Sequence, residues 1–319
     1  MRAVNCCAIV LWVLWFSQVS HAADPNGLCT GKFQGGVRPN LNEIGVGANL
    51  CGADLSGMDL HGMDLRNIDA RRANLSRANL QNSLLHGAFL SLSNLTGANL
   101  KNAQLIGTEL IGADLREASL DGASFVAADL SEAVLENANF KGGLLVGAIF
   151  TAANLNEANF ADVNMVGVVL MSSSLVNATM TDADLQWAIL NEANLQGADM
   201  QRAKLTLATL VRCDLSFANL YMAVLNDAYL HAARLINAEL SGASFYRAVM
   251  PEAEFDGAKL VGTDLSFAQL RGASFVHADL TTANLQGADI RGANFDGALL
   301  EGTIPSDLIL NIDRNGLAY

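Results

Sequence analysis

The sequence predicts an all-β solenoid, a chain that turns every five residues and stacks coil upon coil. Three observations carry this. Every fifth residue from Leu50 to Leu300 is Leu, Phe, Met or Ile, with Ala70 the one exception, so 51 positions share one register without insertion or deletion. Calling that residue i, the site at i−2 is small, usually Ala (Ala53, Ala73, Ala78, Ala98), with Met58, Met63, Ile68, Val163 and Val168 as bulkier departures. At i+2 Gly recurs, as Gly57, Gly62, Gly87 and Gly97.

A period of five fits neither the helix at 3.6 nor the strand at 2.0. A short extended piece followed by a tight corner does fit, with i and i−2 turned inward and the other three residues outward. Gly at i+2 gives such a corner access to positive φ. Asp or Asn fills nearly half of the i−1 sites, where short polar side chains bond to the backbone of a turn.

The runs Ala53-Asp54-Leu55, Ala78-Asn79-Leu80, Ala158-Asn159-Phe160 and Ala278-Asp279-Leu280 resemble the A(D/N)LXX signature of the pentapeptide-repeat family, and the likeness covers about four-fifths of the chain. The resemblance implies a right-handed quadrilateral β-helix with four pentapeptides, hence 20 residues, in each of about thirteen coils. At ~4.8 Å between neighbouring coils the rod would be roughly 60 Å long. No coil of such a stack is stable alone, and its two ends need covers.

In chain order, residues 1–22 read as a signal peptide: Met1-Arg2, an apolar run from Ala8 to Phe16, and Ser20-His21-Ala22 ahead of a cleavage site between Ala22 and Ala23. The apolar run is too short to cross a bilayer, and no later segment approaches the ~20 residues required. The expected location is periplasmic or secreted. Cleavage would remove one Arg and no acid, taking the formal charge from −13 to −14; that acidity disfavours nucleic acid and anionic lipid as partners. Residues 23–49 are the N-terminal capping segment, and Cys29 there is the candidate to bridge Cys51, an outward i+1 residue of the first coil, in an oxidising compartment. The repeat proper spans 50–300. Cys213 falls on an inward i−2 site and reads as an inert filler. Residues 301–319 form the C-terminal cap, where Ser306-Asp307 could open a short helix or a last strand; a dimer contact through this apolar tail is the alternative.

Chemistry is hard to find in this pattern. His61, His86, His231 and His277 fall on four different sides of a 20-residue coil, so no catalytic, cofactor or metal site is expected. Fifteen of the acids occupy i−1 sites and read as turn residues. Arg66, Arg71, Arg72 and Arg77 balance Asp54, Asp59, Asp64 and Asp69, or else form an anion-binding patch. No small-molecule substrate is evident, a convex rod offers no pocket, and the chain reads as no enzyme.

Outward large apolar residues are distributed unevenly. The side centred on Leu65 and Leu85 carries eleven and the adjoining side centred on Ala70 and Leu90 carries ten, against five and three on the other two. The candidate partner surface is Leu144, Val146, Val166, Trp187 and Leu207 on the first side, with Ile149, Val169, Ile189, Tyr229 and Val249 on the second. The favoured reading is an exported, non-enzymatic interaction module that meets a protein partner or a second copy of itself. The alternative is an acidic DNA mimic that protects a topoisomerase, gyrase, from inhibitors, as the resemblance implies for some relatives. A polysaccharide-binding role is disfavoured by the want of a cleft and of aromatic platforms.

Overall fold

The computed structural model describes residue 29 and residues 32–305; the segments read as a signal peptide (1–22) and, beyond 305, as a C-terminal cap lie outside the described residues. The repeat folds as a β-helix solenoid. From Asn49 to Ile304, every i−1 residue pairs in parallel with the residue 20 positions away, as in Asp54↔Asn74 and Val169↔Ile189. Four pentapeptides therefore close one circuit, and each side is so short that a single residue carries its bridge.

Backbone donors explain why five residues suffice. In most repeats the N–H of i, i−1 and i+2 donates to the adjacent coils, as in Leu75 to Asn94 at 2.7 Å, Asn74 to Ala53 at 2.9 Å and Arg77 to Thr96 at 3.0 Å. The N–H of i−2 closes the corner onto the preceding i, as in Ala78 to Leu75 at 3.0 Å. Only the i+1 N–H remains, and the i−1 side chain commonly takes it: Ser76 N–H donates to Asn74 Oδ1 at 3.2 Å and Gln81 N–H to Asn79 Oδ1 at 3.3 Å. The turn role read for Asp and Asn thus has a specific donor.

Residues i and i−2 form one continuous buried core. Phe255, Phe275 and Phe295 stack with ring centroids 4.8 and 4.9 Å apart, the spacing of successive coils. Where i is only Ala70, the larger Ile68 is buried two residues earlier and supplies volume. Most hydroxyls at i−2 bond to backbone carbonyls, as Ser83 to the Leu80 carbonyl at 2.7 Å and Thr108 to the Leu85 carbonyl at 2.8 Å.

The first coil is covered by Phe33 and Ile44, both buried, while Gly36 N–H donates to the Gly52 carbonyl at 3.0 Å and Val37 accepts from Asp54 N–H at 3.1 Å. A short 3-10 helix, Leu41–Glu43, is held by the Asn40 N–H donating to the Glu43 carboxylate at 2.8 Å. Cys29 and Cys51 are joined, their Cα atoms 5.4 Å apart. Cys51, an i+1 residue outside the core column, is 1% exposed because the covering segment that carries Cys29 lies on top of it.

Candidate interaction surface

The i−1 column of the Ala70 side runs Ile149, Val169, Ile189, Thr209, Tyr229, Val249, bridged residue to residue across successive coils. Tyr229 is exposed and the four aliphatic members are half-buried. On the adjoining Leu65 side Leu144 is exposed and Val146, Val166, Trp187 and Leu207 are half-buried. Trp187 and Leu207 stand at the corner between the two sides, so the corner joins both groups into one surface.

That corner is built from i+2 residues. Every i+2 position from Gly47 to Gly302 has positive φ, whether or not it is glycine, and Trp187, Leu207, Arg247 and Phe267 adopt φ of 64°, 62°, 59° and 59°. A left-handed L-residue costs roughly 1–2 kcal/mol relative to the right-handed form, so bulky side chains here are placed against a local preference. Several lean over a glycine one coil later. A Cβ on Gly287 would come 2.8 Å from the Phe267 ring, and one on Gly112 would come 2.8 Å from Leu92.

Further along the corner a groove of about 500 Å³ opens between Leu207, Asp227, Tyr229, Tyr246, Arg247, Val249, Phe267 and Gln269. Tyr246 and Phe267 meet edge to face, centroids 5.8 Å apart, and Arg247 Nε lies 3.0 Å from Asp227 Oδ1. The sequence reading missed this groove. Its signal is residue numbers that nearly coincide modulo 20, which place 227, 229, 246, 247, 249, 267 and 269 together on three coils. Also missed is a second exposed cluster, Phe217 at 66% exposure with Tyr221 and Met222, on sides where apolar residues are few.

Several arginines elsewhere are paired within the rod. Arg66 and Arg71 pair with Asp64 and Asp69 at 2.6 and 2.8 Å, which fits the balancing role. Arg202 reaches Asp182 one coil earlier at 2.6 Å. Hydrogen bonds from Arg66, Arg116 and Arg202 hold Asp64, Asp114 and Asp182 below the usual carboxylate range, and Arg291 holds Asp289 down at about 2. Burial pushes the Cys213 thiol up, and its Sγ donates to the Ala193 carbonyl at 3.2 Å. Among the described residues no group of His, Cys, Asp and Glu is arranged to hold a metal ion, and no helix is long and apolar enough to cross a membrane.

A family model of pentapeptide repeats matches in eight copies between residues 46 and 302. Among solved structures, HetL, a pentapeptide-repeat protein involved in heterocyst differentiation regulation in the cyanobacterium Nostoc sp. strain PCC 7120, is 30% identical, with 82% of this chain and 92% of that one covered and a TM-score of 0.28. A trypsin-treated form of QnrB1, a plasmid-mediated fluoroquinolone resistance protein, is 22% identical over 71% of this chain and 97% of that one, TM-score 0.36. A pentapeptide-repeat protein of the Arabidopsis thaliana thylakoid lumen is 34% identical over 34% and 69%, TM-score 0.19. No curated protein matches the chain.

Proposed function

The chain belongs to the pentapeptide-repeat family, and on that premise we propose that it is an exported, non-enzymatic rod whose apolar corner binds a protein partner. In this reading the solenoid is right-handed, has about thirteen coils and extends roughly 60 Å. Residues 1–22 direct export and are removed, 23–49 and 301–319 cap the two ends, and the Cys29–Cys51 bridge pins the first cap.

One observation carries the reading. Between Ile149 and Val249 the bridge column is apolar at five of six positions, while on the two opposite sides the same position is mostly Asp or Asn. The bridge itself uses only backbone, so it does not require an apolar residue there. β-Branched residues suit strands, but strand preference applies equally to all four sides and so cannot produce the asymmetry. A contiguous apolar surface of this kind marks a contact site on a soluble protein.

The test places a photocrosslinking residue at Ile189 and, separately, at Asn99 on a polar side, in the producing cell. The expected result is one discrete protein adduct from position 189 and none from 99, lost when Val169→Asp is added. Equal labelling at both positions would overturn the reading. Fractionation with N-terminal sequencing tests export independently: a chain beginning at Ala23 outside the cytoplasm supports it. An intact Met1 in the cytoplasm would return the acidic DNA-mimic reading to first place, a reading that rests on the formal charge of −13.

A further inference from the structure

We propose that the groove bounded by Tyr229, Tyr246 and Phe267 is a carbohydrate site that takes a neutral linear oligosaccharide lying along the rod axis. This goes beyond the protein-binding reading and reverses the expectation, drawn from sequence, that the rod offers neither a cleft nor an aromatic platform.

The lining supplies both halves of sugar recognition. Tyr229, Tyr246 and Phe267 are 48%, 37% and 54% exposed, so a ligand that covers them removes apolar ring surface from water. A pyranose presents a face of C–H groups that can cover a ring and a rim of hydroxyls that each donate and accept. Asp227, Arg247 and Gln269 border the same space and offer an acceptor, a planar set of donors, and an amide that does both. The groove volume of about 500 Å³ lies within the usual range of ligand sites.

Charge and backbone narrow the ligand class. The one cation and the one anion of the lining neutralise each other at 3.0 Å, so within an acidic chain the groove is locally neutral and selects no charged ligand. Main-chain groups around it are already engaged: Tyr229 N–H donates to Ala208, Arg247 to Ser266 and Val249 to Ala228, at 2.9, 3.0 and 2.8 Å, and the Tyr229, Tyr246 and Val249 carbonyls accept from Leu210, Asp227 and Leu230. An extended peptide therefore finds no strand edge to join. A glycan needs none, and its hydroxyls can pair with Asp227, Arg247 and Gln269. Tyr229, Val249 and Gln269 stack on successive coils at ~4.8 Å intervals, so the groove follows the axis and suits a chain rather than a single sugar.

The corner geometry holds the platform in place. Phe267 occupies a left-handed position, and its ring sits where a Cβ on residue 287 would have to be, which only Gly287 permits.

The experiment uses the full chain on an array of neutral and acidic oligosaccharides, followed by calorimetric titration of the strongest neutral hit. Phe267→Ala and Tyr246→Ala are each expected to weaken binding about tenfold, the scale of one lost ring contact, with Phe267→Tyr restoring it. Asp227→Asn should weaken it severalfold, and Lys141→Ala, on a polar side, should leave it unchanged; Leu207, Tyr229 and Val249 line both this groove and the protein-binding surface, so Phe267→Ala, outside the named protein-binding residues, is the variant that tells the two apart. Thermal melting of each variant confirms the fold. No neutral glycan above background, binding of acidic glycans alone, or an unchanged affinity in a folded Phe267→Ala variant overturns the proposal.

Discussion

The Leu55 and Leu60 sides and the corner between the Leu65 and Ala70 sides share one backbone and one core, yet they treat the same spare donor differently. On the polar sides the i+1 N–H is taken by the Asp or Asn two residues earlier, as Gln196 by Asn194 and Tyr221 by Asn219, both at 3.1 Å. These side chains also link coils: Asn79 Nδ2 donates to Asp59 Oδ1 at 2.9 Å, and Asn99 Nδ2 to Asn79 Oδ1 at 3.1 Å. On the Ala70 side the column from Ile149 to Val249 has given up that acceptor. Val211 N–H donates instead to Asn191 Oδ1 one coil earlier at 3.0 Å, and after Val249 the i+1 residue is Pro251, which has no N–H to satisfy. The fold thus fixes i, i−2 and the φ of i+2, and leaves i−1 and i+1 to be spent either on turn stability or on an outward surface.

The largest effect should come from a residue that both regions share. Phe275 is fully buried between Phe255 and Phe295, so Phe275→Ala removes ring contacts on two coils and leaves a cavity in the common core. A loss of about 3–5 kcal/mol is expected, read by chemical denaturation. A loss under about 1 kcal/mol would mean that the column collapses freely around the gap, and that the two regions are not mechanically joined through it.

A corner substitution comes next. Gly107 has φ of 62° and open space where a Cβ would project, so Gly107→Ala isolates backbone strain from crowding. The expected cost is about 1 kcal/mol. A neutral result would show that the 31 non-glycine corner residues with positive φ carry little strain, and that Trp187 and Phe267 occupy the corner without penalty.

The third pair of variants exchanges the two solutions. Asn154→Ala removes the acceptor for Asn156 N–H at 3.2 Å and the bond to Glu136 at 2.8 Å, and should cost about 1 kcal/mol while leaving crosslinking from position 189 intact. Val169→Asn should do the reverse, shifting stability by no more than about 0.5 kcal/mol and abolishing the adduct. If both variants alter stability alone, the apolar column is a packing feature and the proposed contact fails.

The fold was legible because its rule is local. The large residue at i and the small one at i−2 hold one register without a slip, and their burial follows directly; Gly marks only some of the i+2 corners, so the positive φ of the 31 non-glycine corners was not legible. The corner surface was legible only in part. Val169 and Ile189 could be assigned to one column from a 20-residue period, but the groove joins Tyr229, Tyr246 and Phe267, which lie on three coils and two sides, and no single column contains them. Counting apolar residues by side also averages away Phe217, Tyr221 and Met222, which cluster by axial level. The near-complete burial of Cys51 comes from the covering segment, outside the repeat rule, and was legible only through its candidate bridge to Cys29.

The smallest expected effect concerns acid. Asp64, Asp114 and Asp182 titrate below their ordinary values because arginine hydrogen bonds favour the ionised form, and Asp289 is held at about 2 by Arg291. A carboxylate whose pKa falls on folding adds stability that is fully present above its unfolded value near 3.9 and is lost as pH drops through the folded value. Melting temperature should therefore hold from pH 7 to about 5 and decline between about pH 4 and 2. These pairs are exposed, so the decline should be shallow and should shrink further in high salt. Arg291→Gln tests the assignment, since it returns Asp289 toward its ordinary range and should flatten part of the acid limb without touching the neutral plateau's shape. The apolar column contains no carboxylate from Ile149 to Val249, so Val169→Asn should leave the acid limb as it is. A steep transition near pH 4 that is insensitive to salt and to Arg291→Gln would instead assign the acid sensitivity to the turn bonds that Asp residues accept, as Asp54 does from Ser56 at 3.0 Å, rather than to the arginine pairs.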